Sequence, residues 1–116
     1  MRFLRTQEGT DWPEHRSMGL RIAYALLFFL PRSNPSYDGR MHLIREWLIA
    51  FDDDGVPDRE VGLDGDGAPI VAGPDARNYG FWLDTNIRWG DLEGVEVEGD
   101  EFERQWRLAA HLRRDE

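Results

Sequence analysis

Two short acidic breaks, each ending in glycine, cut the stretch from Trp47 to Val71 into three runs, and an antiparallel sheet is the arrangement that such spacing favours. The first run is Trp47, Leu48, Ile49, Ala50 and Phe51, and it stops at Asp52, Asp53, Asp54 and Gly55. Asp bonds its own main chain and Gly reaches positive φ without a Cβ clash, so Asp54-Gly55 can reverse the chain. The second run, Arg59 to Leu63, alternates charged residues with apolar or small ones, as a half-buried strand does. A second reversal at Asp64, Gly65, Asp66 and Gly67 leads to Ala68 to Ala72, where Pro69 favours an edge or a strand entry. The expectation is an antiparallel meander.

Further along, Tyr79 to Leu83 reads as a fourth strand, with Tyr79, Phe81 and Leu83 on one face and Gly80 and Trp82 on the other. Val95 to Glu98 alternates and reads as a short extended segment or a lead-in. From Glu101 to Leu112, Phe102, Trp106, Ala109, Leu108 and Leu112 recur at three- to four-residue spacing, the mark of an amphipathic helix. Asp100 is its expected N-cap, with acidic residues in its first turn and Arg113 and Arg114 at its end. A helix with one apolar stripe needs a surface to lie on, so the fold class expected is α+β: a three- to four-stranded antiparallel meander carrying a C-terminal helix on one face.

The first forty residues behave differently. Asp11, Trp12, Pro13 and Glu14 form a helix-start signal, and residues 18–30 are apolar nearly all round until Pro31 ends them. A helix packed on the same face of the sheet is the favoured reading, although Leu20, Ile22, Tyr24, Leu26, Phe28 and Leu30 also alternate as a strand would. The uninterrupted run from Ile22 to Leu30 is about half the roughly twenty residues that a membrane span needs. Glu8, Asp11 and Glu14 do not suit a signal peptide. Residues 31–40 are turn and breaker types, so 1–40 reads as a helix plus loop, with an appendage as the alternative, within one domain of 116 residues whose sheet and final helix occupy 41–116.

Charge and composition exclude several classes. The formal net charge is −9, from 23 acidic and 14 basic side chains, which repels nucleic acid and suits a basic protein partner. All the basic residues are arginine, so Schiff-base chemistry, a phosphate-loop lysine and a lysine base are ruled out. With no cysteine there is no disulfide, thiolate metal site or cysteine nucleophile, which fits a cytoplasmic location. Asp52, Asp53, Asp54, Asp58, Asp64 and Asp66 invite a calcium reading, but neither loop has the EF-hand spacing. His15, His42 and His111 are scattered. Neither metal, cofactor nor catalytic set is expected.

The segment from Arg77 to Asn86 has the aromatic, Arg and Asn density of a recognition surface. Tyr79, Phe81 and Leu83 suit the core, whereas Arg77, Asn78, Trp82, Asp84, Asn86 and Trp89 are candidate partner-binding residues, with Trp82 and Trp89 partly exposed along a groove. From Met41 onward the order also resembles that of small uncharacterised bacterial proteins of immunity-protein type, some encoded near polymorphic toxins. The features carrying the resemblance are Trp47 to Phe51, Asp52 to Gly55, Arg59 to Asp64 and Glu101 to Trp106. It spans residues 41–106, its motifs are structural, and it implies neutralisation of a basic toxin. The expected function is therefore a non-enzymatic, acidic protein-binding module without membrane contact. A small-ligand sensor or enzyme using residues 77–86 is the alternative, and self-pairing through an exposed strand edge or the apolar N-terminal helix is the homodimer expectation.

Overall fold

A computed structural model of the chain describes residues 1–10, 37, 39–75 and 79–113. The expected helix over 18–30 lies outside the described residues. The fold is α+β with an antiparallel sheet. Its strands are β1 (Arg2–Thr6), β2 (Glu46–Phe51), β3 (Pro57–Leu63), β4 (Pro69–Gly73) and β5 (Val95–Val97), in the order β4-β3-β2-β1-β5. One helix, α1 (Gly99–Leu108), follows, and a 3-10 turn, Ala110–Leu112, finishes it.

The two acidic reversals are the same loop built twice. In the first, Gly55 N–H donates to Asp52 O at 2.9 Å and Asp52 N–H to Val56 O at 2.8 Å; in the second, Gly67 donates to Asp64 O at 3.0 Å and Asp64 to Ala68 O at 2.9 Å. Asp52 Oδ1 accepts the N–H groups of Asp54 and Val56 at 2.9 and 3.0 Å, and Asp64 Oδ1 does the same for Asp66 and Ala68. Gly55 and Gly67 both stand at φ 79°, where a side chain is strained. This is a type I turn followed by a glycine bulge, and the pairing register shifts beside each loop. The leading Asp of each loop therefore serves the backbone.

Strand β2 is buried on both faces, which explains why its sequence is apolar without alternation. On one face Leu48, Ala50, Val61, Leu63 and Ala72 pack against Phe102 and Ala109 of the C-terminal segment. On the other, Leu4, Trp47, Ile49, Phe51 and Val71 pack against Tyr37, Met41, Ile44 and Trp82. That second face is covered, among the described residues, by loop segments: the turn around Met41–Leu43 and the stretch from Phe81 to Leu92. Each large side chain so enclosed contributes roughly 1.5–3 kcal/mol relative to exposure.

Four expectations change. The first strand, β1, falls in the segment read as a helix plus loop; it pairs with β2 on one side and β5 on the other, so residues 2–6 are interior to the sheet. Among the described residues the sheet thus has five strands. Tyr79 to Leu83 is no strand: it is irregular chain running into the 3-10 turn Trp82–Asp84. The cap position of α1 is Glu98, and it makes no side-chain cap bond, so Asp100 belongs to the first helical turn. Two arginines fasten α1 instead. Arg5 pairs with Glu101, and Arg59 makes a forked pair with Glu103 at 3.0 and 2.7 Å while lying over the Phe102 and Trp106 rings.

Candidate functional site

Strand parity sends Glu60 and Gly62 to the face opposite α1, beneath the loop cover. Glu60 is 0% exposed. Its Oε2 accepts Tyr37 O–H at 2.8 Å and Phe81 N–H at 2.6 Å, and its Oε1 accepts Trp82 N–H at 2.7 Å and Leu83 N–H at 3.3 Å. These three consecutive backbone donors are what hold the 79–85 segment out of a strand ladder. Burial pushes the Glu60 carboxyl up to about 7, against the pull of the Phe81, Tyr37, Trp82 and Leu83 donors. Tyr37 is raised well above its ordinary value, first by burial and then by the neighbouring Glu60 charge, so it remains a phenol and a donor. Gly73 leaves the room this requires, since a Cβ there would lie 2.5 Å from the Tyr37 hydroxyl oxygen.

Chemically the Glu60 cluster is a clip. Its acceptor positions are filled by the protein's own donors and the group is shut off from solvent, so it locks the loop onto the sheet. Sequence reading placed Arg59 and Glu60 together on a half-buried strand. The signal for Glu60 was parity: with Val61 and Leu63 facing α1, Glu60 must face the other way, and only burial of that second face was hidden.

Of the sequence-derived site residues, the structure describes Trp82, Asp84, Asn86 and Trp89. Trp82 is 7% exposed and packs edge-on to Trp47, with ring centroids 6.4 Å apart, which overturns its expected exposure. The cause is the Glu60 clip, which turns the Trp82 main chain inward. Its indole N–H finds no acceptor among the described residues. Tyr79, expected in the core, is 41% exposed. Asp84 and Asn86 are exposed, and Asn86 O accepts the Arg88 guanidinium at 3.2 Å. Arg77 and Asn78 lie outside the described residues.

Trp89 is half-buried, as expected, and it does border a groove. Its ring meets Phe51 edge-to-face at 5.3 Å, and its backbone N–H donates to Gly55 O at 2.9 Å. The groove, about 360 Å³, is lined by Arg2, Arg88, Trp89 and the hairpin residues Asp52, Asp53, Asp54 and Gly55. An aromatic face beside carboxylates suits a cation, and the chain's own Arg2 guanidinium already lies 3.9 Å from the Trp89 ring centroid. Among the described residues no group of three or more His, Asp or Glu side chains is placed to hold a metal ion. No helix among them is long and apolar enough to cross a membrane.

The remaining prominent feature is charge along one side of the sheet. Asp91, Glu93, Glu96, Glu98, Asp100 and Glu101 follow one another without an intervening base, and all but Glu101 are exposed. No protein-family model matches the chain, and comparison with curated proteins and with solved structures returns no match.

Proposed function

We propose that the protein is an acidic protein-binding module whose partner is basic, and that neutralising a basic toxin in the cytoplasm, as an immunity protein does, is the leading form of that role. The observation that supports the reading most is the run of mostly exposed carboxylates from Asp91 to Glu101, in a chain of net charge −9; within it Glu96 pairs with Arg2 and Glu101 with Arg5. Such a surface speeds capture of a basic partner and makes association sensitive to salt. The resemblance of residues 41–106 to immunity-type proteins points the same way. A pull-down against the product of the adjacent reading frame, at low and at high salt, tests it. Retention that salt abolishes supports the reading, and failure to retain the neighbour at low salt rejects it as a toxin inhibitor.

A second reading, a small-ligand sensor, is favoured by the groove beside Trp89 rather than by residues 77–86. There the ligand would be cationic and would displace Arg2 from the indole, so quenching of Trp89 fluorescence by guanidinium or ammonium compounds separates it from the first.

A further inference from the structure

We propose that the outer edge of β5 is a docking site for an extended basic segment of a partner protein, which joins the sheet as an added strand. The proposal rests on the basic-partner reading above and specifies where and how that partner binds.

Among the described strands β4 and β5 are the outer two, and they differ. On β4, Pro69 has no N–H to offer, and the Ile70 carbonyl is taken by the Arg40 guanidinium at 3.2 Å. Among the described residues β5 pairs only with β1, through Val97, Glu96 and Val95 opposite Phe3, Leu4 and Arg5. Among the described residues no other backbone group bonds to it. Val95 is 66% exposed, an uncovered apolar side chain beside main-chain groups that a further strand would satisfy.

Charge selects the occupant. A second copy would bring two runs of carboxylates against each other, with no arginine in residues 91–101 to offset them. A segment alternating basic and apolar residues meets Glu96 on one face of the sheet and Val95 on the other, which gives opposite-charge and apolar cross-strand pairs together with main-chain hydrogen bonds. The chain's own Arg2 shows that a guanidinium fits, pairing with Glu96 at 3.1 Å. Both side chains of that pair are 53% exposed, so it is weak and readily exchanged.

The test uses the full chain and a short peptide alternating arginine with valine. Its control is the matching oligomer with side chains carried on the backbone nitrogens, which keeps the charge and has no amide hydrogen. Expected at low salt are binding about tenfold tighter for the peptide than for the control, and slowed amide exchange at residues 95–97. Equal affinities with unchanged exchange at 95–97 overturn strand addition while leaving a basic partner in place. If neither oligomer binds at low salt, the basic-partner reading falls with it. A concentration-dependent dimer that protects 95–97 without peptide overturns the choice of occupant.

Discussion

Glu60 is placed where burial favours its neutral form and four donors favour its charge, and burial wins by enough to bring the group to about 7. In the unfolded chain the same carboxyl titrates at its ordinary 4.5, so between these values the folded protein holds a proton that the unfolded one releases. The stability that this proton contributes is complete below pH 4.5 and is lost as pH rises through 7, a change of roughly 3 kcal/mol at 1.36 kcal/mol per unit. Denaturant melts across that range read the slope, and Glu60→Gln removes most of it. The same substitution turns an amide nitrogen toward a donor and costs about 1–3 kcal/mol at low pH. Gly73→Ala puts a Cβ into the Tyr37 hydroxyl and costs about 1–3 kcal/mol by overpacking. In a Tyr37→Phe background that cost shrinks, because the crowded oxygen is gone, and a double-mutant cycle measures the coupling.

The hairpins are where element and sequence agree most closely, because the chemistry that builds them is local. Asp at the first position and Gly at the fourth fix the loop whatever lies elsewhere in the chain. Asp52→Ala and Asp64→Ala each remove an oxygen that accepts two N–H groups. Each is expected to cost about 1 kcal/mol, the two adding in the double variant since the loops share no partner. Asp53→Ala, on an exposed position of the same loop, leaves stability unchanged within about 0.5 kcal/mol. The strand β1 was not legible for the opposite reason. Nothing in Arg2 to Thr6 announces partners at Trp47 to Phe51 and Val95 to Val97, which only long-range pairing supplies. Likewise Tyr79, Phe81 and Leu83 alternate like a strand, but their segment gives its N–H groups to a carboxylate. Both failures lie on the tertiary link, and so does the misplacement of Trp82. The fragment 41–116 lacks the strand that joins β2 to β5, and its thermal melt is expected to be broad and non-cooperative.

Across the whole molecule the excess of acid over base acts on stability as well as on partners. Exposed carboxylates repel one another through water, so adding salt to a low-ionic-strength solution raises the melting temperature until the Debye length falls to about 10 Å. Thermal scans over a sodium chloride series check this, and a fall in melting temperature would assign the dominant role to attractive pairs such as Arg59–Glu103. The acidic balance was plain in the sequence, whereas its gathering along β5 depended on β1 and could not be seen there. The place of β1 also orders the birth of the molecule. It leaves the ribosome before the other described strands, yet Leu4 meets Ile49 only after the first hairpin begins to emerge and meets Glu96 only once β5 has followed. The β2-β3-β4 hairpins can close while the chain is still growing. Of the described strands the earliest waits the longest for its partners, and the acidic edge at β5 forms only after the hairpins have closed.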